Sequence, residues 1–139
     1  MNRQASSLLA AVFAGLAGCS SGSGPAESAA AAPDPYAGAR IYRGNCIACH
    51  QSNGLGIRGV YPSLAGSPVV LGDAAQLALW VIKGVRPPGM PAGRFPTAMP
   101  KFRWMQAADT AALLTYLRSQ FGNSASPVAA ATVAQAIGG

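Results

Sequence analysis

Two stretches of this chain place apolar side chains at helical intervals. From Gly72-Asp73 onward, Leu77, Trp80, Val81 and Val85 fall on one stripe, and over 106–121 Leu113, Leu114, Tyr116 and Leu117 form a second. A third helix is marked by its start, with Asp34 as N-cap and Pro35 in the first helical position. It runs through Arg40, Ile41 and Tyr42 towards Cys46. Gly38 and Tyr42 lie four residues apart and so share a face of it. A glycine inside a helix costs about 1 kcal/mol against alanine, so a close backbone contact at Gly38 is expected. Glycines and prolines dominate 52–68, which reads as loop. Five prolines between 84 and 104 (Pro87, Pro88, Pro91, Pro96 and Pro100) rule out regular structure for most of that segment. Strand-like alternation is essentially missing, and the pattern predicts an all-α domain over 34–121.

The ends read differently. Residues 1–18 have the form of an export signal: Arg3 supplies the positive start and 8–17 is a short apolar, small-residue run. That run is too short to cross a bilayer as a helix. It ends in Leu16-Ala17-Gly18-Cys19, which resembles the bacterial lipobox and marks Cys19 as the lipidated first residue of the mature chain. The alternative is an ordinary secretory signal cleaved nearby, with Cys19 discarded or left as a free thiol. Acyl chains on Cys19 would hold the protein to the periplasmic side of a membrane by burying methylenes. Residues 19–33 are Ser, Gly, Ala and Pro with one charge, Glu27, and read as a flexible tether. Residues 122–139 form an Ala-rich, uncharged tail that either lies along the domain or stays mobile.

The chemistry is concentrated in Cys46-Ile47-Ala48-Cys49-His50. C-x-x-C-H is the attachment signature of a c-type haem. Two thiols on one helical turn can each form a thioether to one porphyrin, and the adjacent His50 then offers a neutral imidazole to the iron. A structural zinc site needs four ligands, and His50 is the only histidine in the chain. A thioredoxin-like pair needs a βαβ setting, which is absent here. The three cysteines are accounted for as one lipid acceptor and two thioethers. The chain is half hydrophobic by composition, but much of that is Ala, so the haem would supply a large part of the apolar interior.

A sixth ligand turns such a haem into an electron carrier, and methionine sulfur is the usual donor. Met105 borders the last helix, where a core role fits better. Met90 and Met99 both sit in the proline-rich segment, both before a proline, and composition does not separate them.

Over 34–121 the chain resembles class I monohaem cytochromes c. Gly38-Ala-Arg-Ile-Tyr42 looks like that family's first helix, whose glycine and aromatic cross the last helix, and Leu113-Leu-Thr-Tyr116-Leu117 looks like the last helix. Tyr61-Pro62-Ser-Leu64-Ala-Gly66 matches the segment whose proline carbonyl accepts a hydrogen bond from the ligand imidazole. The resemblance therefore implies Pro62 as the partner of His50. It also implies Met99 as the second axial ligand. Met99 precedes Leu113 by fourteen residues, as in the family, and Met99-Pro-Lys-Phe102 looks like its M-P-x-F segment. The implied fold is a small class I cytochrome c, with helices packed around one covalently bound haem c. More narrowly, Ala98-Met-Pro-Lys-Phe-Arg-Trp104, Tyr116-Leu-Arg118 and Gly122-Asn123 look like the C-terminal haem domain of alcohol and aldehyde dehydrogenase cytochrome subunits. Those subunits carry three haem motifs and this chain one. Gln106 stands where the last helix usually has a Ser or Thr cap.

The net charge is +6, and its placement is uneven: no acid lies between Asp73 and Asp109, while Lys83, Arg86, Arg94, Lys101 and Arg103 do. If Met99 binds the iron, these form a basic rim that would attract an acidic redox partner. Some of them would instead pair with haem propionates. No nucleic-acid motif accompanies the charge. The expected function is one-electron transfer between a dehydrogenase or quinol donor and an oxidase or other acceptor, by a monomer or by a subunit of a respiratory complex. The rivals are a fixed haem subunit of a larger complex and an open-site haem enzyme or sensor. Peroxidase work would need a distal acid–base group, and there is no second histidine to serve.

Overall fold

The computed structural model describes residues 34–88, 90 and 93–138. The expected signal, the tether and the expected lipid site Cys19 lie outside the described residues. Among those described there are six helices and no strand, only an isolated bridge between Ile57 and Tyr61. The fold is all-α.

α1 (Ala37–Asn45) begins later than the Asp34 cap predicts. Asp34 instead closes a turn in front of it. Its Oδ1 accepts the Tyr36 N–H at 2.8 Å, its carbonyl accepts the Ala37 N–H at 3.1 Å, and its carboxylate pairs with Arg40. The Tyr36 bond, with Arg40 behind it, holds the Asp34 carboxyl below its ordinary range. α2 (Ile47–His50) follows at once.

α1 crosses α5 (Ala107–Ser119) at Gly38. A Cβ built there would overlap the Ala112 carbonyl and lie 2.6 Å from Tyr116 Cβ, so the expected backbone contact is present. The rings of Tyr42, Tyr116 and Phe121 cluster beside it, with centroids 5.3–5.9 Å apart. Leu113, Leu114 and Leu117 of α5 are buried as expected, and Thr110, Ala111 and Arg118 join them. Gln106 makes no side-chain cap; the Thr110 hydroxyl donates to the Gln106 carbonyl at 2.9 Å.

α4 (Ala74–Lys83) starts where expected, with Asp73 Oδ1 accepting the Gln76 N–H at 2.8 Å. Its buried stripe keeps the expected Leu77 and Val81 but is completed by Ala78 and Ile82 in place of Trp80 and Val85. Gly84, in the left-handed region at φ 69°, stops the helix and leaves Val85 47% exposed beyond it. Trp80 is half-buried, with the Arg86 guanidinium 5.6 Å from its ring centre.

Two helices were not expected. α3 (Pro68–Leu71) is a single turn capped by Ser67. α6 (Ala130–Gly138) lies in the Ala-rich tail and packs on α4 and α5, with Val133 fully buried. The approach to it is pinned by Val128, whose N–H donates to Thr115 Oγ1 at 2.9 Å. Of the two options left open for the tail, the chain therefore lies along the domain. Arg118 ties these pieces together. Its guanidinium donates to the carbonyls of Ser126, Val70 and Gly72, each at 2.8 Å.

Candidate cofactor site

The short α2 brings Cys46, Cys49 and His50 onto adjoining turns. Cys46 and His50 are buried, Cys49 is half-buried, and both thiols are free of any disulfide. Burial, with Cys49 nearby, pushes the Cys46 thiol up to about 11. Burial also lowers the His50 imidazole from its ordinary value, against the opposing effect of a hydrogen bond to Pro62. The ring is therefore neutral near pH 7, the form that binds metal.

That hydrogen bond sets the chemistry of the imidazole. His50 Nδ1 lies 3.1 Å from the Pro62 carbonyl oxygen. A carbonyl only accepts, so Nδ1 carries the proton and the Nε2 lone pair is left for a ligand. Among the described residues, no three His, Cys, Asp or Glu side chains are placed to hold a metal ion on their own. One imidazole beside two free thiols, one turn apart, is instead the donor set that a covalently attached haem requires. The residues present fit the group.

The chain around His50 is folded tightly. Gln51 takes φ 64° and ψ 163°, a conformation rare outside glycine. Its carbonyl accepts the Tyr42 hydroxyl at 2.6 Å, which holds the turn from the α1 side. Gly56 then folds back: its N–H donates to the His50 carbonyl at 3.0 Å, and a Cβ there would lie 2.5 Å from the Pro62 oxygen. Only glycine fits at that position, and its φ of 65° agrees. Asn123 anchors the far side of the loop. Its amide accepts from Gly66 N–H at 2.8 Å and donates to the carbonyls of Leu64 at 3.1 Å and Leu117 at 2.8 Å. Tyr42, Gly56 and Asn123 were not foreseen as supports of the site, although Tyr42 and Gly122-Asn123 carry part of the resemblance and two glycines flank Leu55.

The two methionines of the proline-rich segment are both half-buried. Met99 packs against the hydrophobic core. Its segment is fastened to α4 by the Phe102 N–H, 3.1 Å from the Val81 carbonyl. Met105 is buried in the core, as expected. The Lys101 stem packs against Gly84, Arg86 lies over Trp80, and Arg94 lies over Phe95.

Comparison with known families decides the identity. The cytochrome c family model matches residues 36–121. The chain belongs to the cytochrome c family. A cytochrome c carries haem c bound covalently, and the single C-x-x-C-H site makes it one haem here. The domain is thus an electron-transfer cytochrome domain. It is 35% identical over 92 residues to the cytochrome c subunit of a quinone alcohol dehydrogenase from Gluconobacter oxydans (strain 621H), covering 64% of this chain and 19% of that protein. It is 30% identical over 95 residues to the gluconate 2-dehydrogenase cytochrome c subunit of Pantoea cypripedii, covering 66% and 22%. The alcohol dehydrogenase subunit of Komagataeibacter europaeus matches at 34% over 91 residues, 63% of this chain and 19% of the relative. This cytochrome spans about a fifth of the length of these relatives.

Proposed function

We propose that this cytochrome is a one-electron carrier with a His/Met-ligated haem. Cys46 and Cys49 form the thioethers, His50 and Met99 are the axial ligands, and Pro62 orients the imidazole. The haem, once bound, supplies the one-electron couple. The protein's own work is to fix, desolvate and tune it. The observation that carries this reading is the Nδ1–carbonyl bond at 3.1 Å, which commits His50 to a single tautomer with Nε2 free. Met99 is favoured over Met90 by its packing on the core and by the bond that fastens its segment to α4. The chain does no bond-making chemistry of its own. Its expected partners are a periplasmic or membrane dehydrogenase or quinol donor and an oxidase or other acceptor, probed through an acidic docking face. Export, with lipid on Cys19 holding the domain at the periplasmic side of a membrane, completes the proposal. Among the described residues no helix is long and apolar enough to cross a membrane.

A second reading, a fixed haem subunit of a larger dehydrogenase, is favoured by the names of the relatives. Co-purification with a dehydrogenase that survives high salt would select it. The ligand assignment is tested by the weak red charge-transfer absorption of sulfur-ligated ferric haem. Met99→Ala removes it and Met90→Ala keeps it. The reverse result would overturn the choice of Met99, and absence of the band from the unmodified protein would favour an open-site haem.

A further inference from the structure

A cavity of about 430 Å³ opens between the loop after His50 and the segment before Met99, lined by Leu55, Arg58, Tyr61, Pro62, Arg94 and Phe95 among others. It borders the residue that holds His50 in place, so it lies one residue from the proposed iron ligand. Two features of its rim are unusual for a resting surface. Leu55 is 56% exposed and its neighbour Ile57 is 42% exposed. Arg58 and Arg94 are both exposed, on opposite loops, and among the described residues no carboxylate reaches either.

Among the described residues no acid is left to pair with them. Of the chain's four acidic residues, Glu27 lies outside the described part. Asp34 is paired with Arg40, Asp73 caps α4, and Asp109 sits in the first turn of α5. Two guanidiniums flanking exposed apolar side chains form a patch that gains from an incoming carboxylate and from apolar cover together. The basic run of 83–103 does not provide this as a whole; Arg94 alone of that run lines the cavity, and it meets Arg58 from the other loop. We infer that the Arg58–Arg94 groove is the docking site for an acidic segment of a redox partner protein, with Leu55 and Phe95 as its apolar contact. This rests on the electron-carrier reading.

The test uses the reduced, haem-loaded protein in stopped flow with two small oxidants: hexacyanoferrate(III), an anion, and tris(phenanthroline)cobalt(III), a cation. Each takes one electron per haem. Poly-L-glutamate serves as the acidic probe. Arg58→Glu and Arg94→Glu are compared with Arg43→Glu, an exposed α1 residue that changes the net charge equally. At low salt, each groove reversal slows the anionic oxidant by about tenfold and speeds the cationic one, and the difference fades as salt rises. Poly-L-glutamate slows the cobalt oxidation of the unmodified protein and of Arg43→Glu but not of the groove variants. Arg58→Gln and Arg94→Gln give the same order with smaller effects, should a reversal prevent folding. Equal effects at Arg43 would overturn the site, because only overall charge would then matter. A shifted reduction potential with unchanged glutamate inhibition would also overturn it, by placing the arginines on the haem's own carboxylates. The carrier reading fails separately, if the same samples give no reversible one-electron wave.

Discussion

The contact between α1 and α5 can be tested by adding a single methyl group at two positions of one helix. Gly38 and Gly44 both lie in α1, and replacing either with alanine gains up to about 1 kcal/mol of helix propensity. At Gly44 a Cβ meets nothing within 4 Å, so that gain is realised in full. At Gly38 the same methyl lies 2.6 Å from Tyr116 Cβ and overlaps the Ala112 carbonyl. The obstruction is backbone and a Cβ, neither of which can swing aside, so the helices must separate. Overpacking of this kind costs about 3 kcal/mol at the upper end of its usual range. Subtracting the propensity gain leaves a net loss of about 2 kcal/mol for Gly38→Ala. In a domain of this size that lowers the melting temperature by about 10 °C, while Gly44→Ala raises it by a few degrees. Denaturant unfolding of the holoprotein, followed by far-ultraviolet circular dichroism, measures both. Equal stabilities for the two variants, or a more stable Gly38→Ala, would refute the close crossing.

Three further outcomes are expected. Burial pushes the Tyr42 hydroxyl up to about 12, so the folded state holds that proton more tightly than the unfolded chain does at about 10. Its stabilising effect is whole below pH 10 and is lost as pH rises through 12, a fall of at most about 3 kcal/mol. Tyr42→Phe costs about 1 kcal/mol at neutral pH, through the lost bond to Gln51, and flattens that alkaline fall in a pH series of unfolding curves. Asn123→Ala leaves the Gly66 N–H without its partner, removes one bond each from the Leu64 and Leu117 carbonyls and costs about 3 kcal/mol, with faster amide exchange at Gly66 as its local sign. Arg118→Lys does not restore what Arg118→Met loses, about 3 kcal/mol by chemical denaturation. One ammonium cannot reproduce the fork that reaches Ser126, Val70 and Gly72 together.

The pattern of the chain exposed the parts whose physics is local. C-x-x-C-H states its chemistry in five residues, and Asp73 caps α4 as its type and position suggest. The α5 leucines are spaced for burial, and Gly38 is placed for a close approach. What stayed hidden depends on partners distant in sequence. Asp34 is a good cap by type, but its bonds to Tyr36 and Arg40 use it in a turn, and α1 starts later. Val85 continues the apolar spacing of α4, yet Gly84 ends the helix before it. α6 has four Ala in its nine residues and only Thr132 and Gln135 as polar side chains, too little contrast to set its period, and only packing on α4 and α5 makes it legible. Arg118 looks like a surface residue until three carbonyls from two other segments are found around it. At the site, the bond from His50 to Pro62 matches the expectation drawn from the resemblance, while Arg58 gave no signal because its neighbour Arg94 is 36 residues away.

Arg118 and Asp34 also fix the order in which acid should dismantle the molecule. A guanidinium keeps its proton throughout, and amide carbonyls have none to gain, so the clasp joining α3, α5 and the approach to α6 is indifferent to acidity. The turn ahead of α1 depends on a carboxylate held below its ordinary value, so its contribution is present at neutral pH and fades as that group is protonated. Acid therefore loosens the entry to the first helix while the Arg118 junction stays shut.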